Sequence, residues 1–143
     1  MNSTLKGKHM AIDDILDMRG IRVPGYTPCF ISVDIEATGP TPGHYSMYEL
    51  GACVVGGEGK FERHIALLPK GKFDGSALRA VGATKCALQK RGSTVSPTTA
   101  MREFANWARE MAQGDELIFV ANNAPFDWMF VAWYFGEIGR AHV

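Results

Sequence analysis

The chain has 143 residues, 46% of them hydrophobic and 21% charged, with fifteen basic and fifteen acidic side chains that cancel. That length supplies one domain with a real core, and the composition is ordinary for a soluble globular protein. It excludes a broad cationic surface and any run long enough for a transmembrane helix, although an enzyme can still hold a phosphate through bound metal. The first ten residues lack the apolar stretch of a signal peptide. Cys29, Cys53 and Cys86 are odd in number and have no metal-type spacing. They are expected to be reduced and buried, in a cytoplasmic protein.

Residues 1–27 read as a polar N-terminal extension, with a short helix expected over 11–18 from the spacing of Ile12, Ile15 and Leu16. Met10 is a candidate start, which makes the first nine residues an upstream extension. Residues 29–34 read as a buried strand and 49–55 as a second. Gly56-Gly57-Glu58-Gly59 then turns the chain into a third strand over 60–68, antiparallel to the second. Those glycines suit a hairpin better than a phosphate cradle, since neither a Lys-Ser/Thr pair nor a helix follows them. A helix is expected over 77–90. Another begins at Ser96 as N-cap and Pro97 in the first turn, and runs through Met111 with an apolar stripe of Met101, Phe104, Trp107 and Met111. Gly114 ends it, 117–121 forms a fourth strand, and a last helix starts near Pro125, capped by Asn122 or Asn123. Its Phe126, Met129, Phe130 and Trp133 have core spacing. Three meandering strands, two helices, a strand and a helix predict an α/β fold with helices packed on a mixed sheet.

Asp34 and Glu36 lie two residues apart on the first strand, so both carboxylates project from one face. Like charges that close repel unless something positive lies between them, and a divalent metal is the usual solution. The strand stops at Thr38-Gly39-Pro40, which leaves the pair near the open end of a sheet. Asp127 falls at the start of the last helix, directly beyond the fourth strand, where it can converge on that pair. Alternatively, it merely complements the positive helix N-terminus.

Asp34-Ile-Glu36-Ala-Thr38-Gly39, then Tyr48-Glu49-Leu-Gly51-Ala on the next strand, then Asn123-Ala-Pro125-Phe126-Asp127, together resemble the DnaQ-like DEDD 3′–5′ exonucleases. The resemblance spans residues 29–136. It implies a ribonuclease H-like sheet of three antiparallel strands followed by a parallel one, and release of nucleoside 5′-monophosphates from the 3′ ends of single-stranded DNA or RNA. Asp34, Glu36 and Asp127 would be catalytic metal ligands for two Mg²⁺ or Mn²⁺ ions about 4 Å apart. Thr38, Gly39, Asn123 and Phe126 would meet the terminal nucleotide, with Phe126 the best ring for base stacking. Glu49 is a weaker candidate that supports the site. A polymerase partner and a homo-oligomer are both compatible with the family; a membrane partner is not.

The family's third motif, a general-base His followed by a fourth carboxylate, has no counterpart in this chain. His9, His44, His64 and His142 are its histidines, and only His44 sits near the expected cleft. The histidine subtype is favoured by similarity to the proofreading branch. Residues 137–143, Glu-Ile-Gly-Arg-Ala-His-Val, resemble the translation of a widely used sequencing adapter. The expectation is therefore a 28–136 exonuclease domain truncated before its last strand and helix, crippled in turnover and left with an exposed apolar edge strand. Two alternatives remain. One is a non-catalytic nucleic-acid-binding module of the same fold. The other is an Asp-nucleophile phosphotransferase of the haloacid-dehalogenase type, which Asp34-Ile-Glu36-Ala-Thr38 superficially resembles.

Overall fold

Alternation along the first strand divides the molecule. Ile31, Val33, Ile35 and Ala37 are buried, whereas Ser32, Asp34 and Glu36 between them are not, because successive side chains of a strand face opposite ways. The structure, a computed structural model, describes residues 28–138. The expected 11–18 helix and all but Glu137 and Ile138 of the expected tail lie outside the described residues.

Among the described residues four strands form one sheet in the order β3-β2-β1-β4. They are β1 (Pro28–Ala37), β2 (Met47–Val54), β3 (Lys60–His64) and β4 (Glu116–Val120). β1–β2 and β2–β3 are antiparallel, and β1–β4 is parallel, as the order of elements predicts. Between β3 and β4 come α1 (Gly75–Ala80), α2 (Lys85–Gln89) and α3 (Pro97–Ala112). After β4 comes α4 (Ala124–Trp133), which widens into a π-helical turn over Tyr134–Ile138. α3 and α4 pack on a single face of the sheet, closing a core of Ile31, Val33, Ile35, Leu50, Phe61, Phe104, Phe130, Val131 and their neighbours. No helix among the described residues is long and apolar enough to cross a membrane.

In its elements and packing the structure departs from the sequence reading in several places. The expected 77–90 helix is two short ones, because Gly82 takes a left-handed φ of 66° and Thr84 starts afresh as an N-cap accepting from the Ala87 N–H. β3 ends at His64 rather than 68; beyond it Ile65 makes only an isolated bridge to Val95. α3 begins at Ser96 and Pro97 as expected, but its buried residues are Ala100, Met101, Phe104, Ala108 and Ala112. The small alanines let the helix approach the sheet, which leaves Trp107 and Met111 half-buried at its rim. On α4 the buried line is Asp127, Phe130, Val131 and then Tyr134, while Met129 is 37% exposed. That helix is apolar nearly all round, so spacing could not select its inner face. Finally, Cys53 and Cys86 are exposed and Cys29 half-buried, all three free. Cys53 shares the open face of the sheet with Ser32, its cross-strand partner.

Candidate active site

β1 and β4 run together only from Pro28↔Glu116 to Ser32↔Val120. Past that point β1 continues alone on that side while the chain after β4 turns into α4. This parting is a crevice beyond the carboxyl end of a parallel pair, where open α/β sheets bind ligands. The unpaired stretch of β1 leaves backbone groups to satisfy. The Ile35 N–H donates to Asp127 Oδ1 at 3.1 Å, a buried bond spanning 92 residues. Asp127, 4% exposed, is thereby fixed against the peptide lying between Asp34 and Glu36. Asn123 holds the helix start through its backbone: its carbonyl accepts from the Phe126 and Asp127 N–H groups, and its side chain makes no cap bond. The expected side-chain cap is therefore replaced by a backbone one, and the Asn123 side chain stays exposed.

Glu36 lies directly across from Glu49 on β2. Beyond it the register slips, so that Ala37 faces Met47. Such a bulge bends a strand and re-aims its side chains beside a site. Burial pushes the Glu36 carboxyl above its usual range, with the charges of Asp34, Glu49 and Asp127 adding to the effect. Asp127 is raised too, first by burial; the Ile35 N–H opposes that rise, and Asp34 reinforces it. Carboxylates that crowd one another in this way form an unbalanced negative pocket. Hard oxygen donors of this kind suit Mg²⁺ or Mn²⁺, so the residues present fit a divalent metal.

Among the described residues, the three-residue group whose ligand atoms all lie within 4.8 Å of one another is a different one, Glu49, Glu62 and His64. These share the open face, since Glu49 pairs with His64 and Gly51 with Glu62. A cation already sits among them. Arg91 Nη2 is 3.1 Å from Glu49 Oε2 and 3.0 Å from His64 Nε2. The sequence reading missed Arg91, which is 42 residues from Glu49 in a loop with no motif to mark it.

A groove of about 670 Å³ runs over the open face past Asp34, Glu36, Glu49, Lys60 and Glu62. A second, of about 470 Å³, is lined by Glu36, Gly39, Asp74, Ala77, Val81 and Phe126. Glu36 lies where the two meet. Phe126 lines the second groove together with the 46% exposed Val81. Thr38 is fully buried. Its hydroxyl donates to the Lys72 carbonyl at 2.7 Å and accepts from the Ser46 N–H at 2.9 Å, and its own carbonyl accepts from the Asp74 N–H at 2.7 Å. Thr38 thus acts from behind the groove, tying the end of β1 to the start of its α1 wall. Gly39 packs under the Tyr45 ring, with which any Cβ there would clash. His44 is exposed, and its carbonyl accepts from the Lys72 N–H.

No family model matches the chain. It is 37% identical over 108 residues to the 3′–5′ DNA exonuclease Cap18 of Escherichia coli, an alignment covering 74% of this chain and 56% of that protein. The chain thus spans little more than half the length of that relative. Its fold matches E. coli exonuclease I in complex with a dT13 oligonucleotide, with a TM-score of 0.59, 15% identity, and coverage of 77% of this chain and 24% of that one. The zinc-bound exonuclease I–single-stranded DNA complex superposes equally well, with a TM-score of 0.59, 15% identity and 76% and 23% coverage.

Proposed function

We propose, for a chain that has the DnaQ-like, ribonuclease H-like fold of 3′–5′ exonucleases, that it is the metal-binding part of such an enzyme and acts on single-stranded DNA 3′ ends. One observation carries this reading. Asp127, delivered by α4, is bonded to the backbone between Asp34 and Glu36, so three carboxylates from two distant stretches of sequence serve one crevice. Helix N-terminal complementarity alone does not require that bond.

In this reading Asp34, Glu36 and Asp127 hold up to two Mg²⁺ or Mn²⁺ ions. When bound, such ions would supply activation of a water and stabilisation of the leaving 3′-oxygen. The protein's own part is positional. One Asp127 oxygen is committed to Ile35, so the other is left for the crevice. Phe126 offers a ring for the terminal base, with Ala77 and Val81 as a further wall; base–aromatic stacking contributes roughly 1–3 kcal/mol. Thr38 and Gly39 keep the floor closed. Neither described histidine is placed as a general base: His64 is engaged by Arg91, and His44 is on an exposed loop. The DNA preference is supported by the Cap18 similarity. The three free cysteines support a reducing, cytoplasmic location.

The test is digestion of single-stranded DNA and RNA oligonucleotides labelled at the 5′ end, with Mn²⁺ or Mg²⁺ and with chelator. Shortening from the 3′ end with nucleoside 5′-monophosphate release, stronger on DNA and abolished by chelation, is expected. End binding that survives chelation without release would instead identify a binding module.

A further inference from the structure

The acidic face of the sheet contains a site that looks made for metal and already holds a cation. Glu49, Glu62 and His64 bring one ligand atom each to within 4.8 Å of the others. Two carboxylates and an imidazole are a donor set that Mn²⁺ or Zn²⁺ accepts readily. Yet the Arg91 guanidinium lies 3.1 Å from Glu49 Oε2 and 3.0 Å from His64 Nε2. His64 Nε2 is itself 3.6 Å from both Glu49 Oε2 and Glu62 Oε1. A guanidinium cannot lose its charge, and here a single nitrogen, Nη2, engages Glu49 and His64 together. Glu49 matters most, because it stands directly across from Glu36.

We propose that Arg91 is a positioning residue, a tethered cation filling the place that Glu49, Glu62 and His64 would otherwise offer a divalent ion. By tying Glu49 at that place it keeps this fourth carboxylate out of the shell of the ions held by Asp34, Glu36 and Asp127. It also keeps the open face to one metal centre. The inference rests on the metal-centre reading above. A mobile carboxylate beside a rival site would let ions distribute between two positions, and misplacing a reacting group by 1 Å costs about 10²-fold in rate. Arg91 also fastens the 85–91 segment to the sheet. This matters because α2 buries none of its own side chains.

The test is Mn²⁺ binding to the full chain, read by loss of the free-ion paramagnetic resonance signal, which does not require activity. Wild type is expected to bind Mn²⁺ in a way that Asp34→Asn abolishes and His64→Gln leaves unchanged. Arg91→Met should gain about one further equivalent, because it leaves paired carboxylates and an imidazole without their cation. Adding His64→Gln to Arg91→Met should remove that gain, and Arg91→Lys should behave as wild type. Loss of an equivalent in His64→Gln alone would show that the trio binds metal natively and overturn the proposal; this arm needs no substitution at Arg91 and so stands even if Arg91→Met fails to fold. An unchanged isotherm in folded Arg91→Met overturns it equally. Wild type that binds no Mn²⁺ at all sinks the metal centre itself, and the inference falls with it. That result is distinguishable from the others, in which the Asp34-dependent binding persists.

Discussion

On one side of β1, Ile31, Val33 and Ile35 are at most 4% exposed and press on α3 and α4. On the other side Ser32, Asp34 and Glu36 open onto a polar groove shared with Glu49 and Glu62. The residues alternate, so the same backbone carries the core and the chemistry. The core face gains stability by removing apolar area from water. The open face gathers like charges that destabilise it until a cation arrives. Rigidity on one side is what lets the other hold mutually repelling groups at fixed positions.

The sharpest way to break that division is on the open face. If the proposed exonuclease reading holds, Asp34→Asn or Asp127→Asn should lower turnover about a thousandfold, ~4 kcal/mol in the barrier. Neither should lower the melting temperature of the metal-free chain. Each removes a repelling charge, and the amide oxygen introduced by Asp127→Asn can still accept from the Ile35 N–H. A parallel fall in stability would show that the two faces are not separable. Ile35→Ala acts in the opposite sense. It should cost roughly 2–5 kcal/mol in denaturant unfolding. It leaves the backbone N–H at position 35 available to Asp127, so Mn²⁺ affinity in the folded fraction should persist.

Tyr134→Phe probes the support behind the core face. Tyr134 is fully buried, and its hydroxyl accepts from the Met47 N–H at 2.8 Å. Burial holds its phenol far above the ordinary range, with the Met47 bond opposing. Removing it strands a buried N–H and should cost about 1–3 kcal/mol, measured by urea unfolding. Leu117 tests the sheet's edge. β4 pairs only with β1 among the described strands, and Leu117 is 42% exposed beside an apolar groove of about 330 Å³. Edge strands of this kind template association. The chain should therefore associate with rising concentration in sedimentation, and Leu117→Lys should reduce that association.

The smallest effect is the pH dependence of the metal-free chain. Glu36 and Asp127 are raised above their ordinary values of 4.5 and 3.8. In the window between those values and the folded-state ones, the folded chain binds more protons than the unfolded chain. Stability therefore falls as pH rises through that window. Acidifying from neutral toward those ordinary values should raise the melting temperature slightly, and saturating Mn²⁺ should cancel or reverse the trend. A melting temperature that falls on acidification would contradict the crowding of carboxylates.

Local chemistry determined a good deal by itself. Alternation over β1 placed Asp34 and Glu36 on one face, the Gly-rich turn at 56–59 set the β2–β3 hairpin, and Ser96-Pro97 started α3. Each depends on neighbours a few residues away, which a sequence displays directly. The break within 77–90 was legible in principle, since Gly82 and Thr84 are a stop and a start in succession. Tertiary structure alone decided the rest. Which side of α4 turns inward depends on Asp127 reaching the Ile35 N–H where β1 outruns β4, and a nearly all-apolar helix carries no internal record of that. Thr38 became a buried clamp because Ser46 and Lys72 arrive from other loops. The pairing of Arg91 with Glu49 and His64 depends on the loop after α2 returning to β2 and β3, a contact between residues 42 and 27 positions apart. Periodicity reports which face of an element is apolar; where distant polar groups meet is settled only when the sheet order and the loops close the chain on itself.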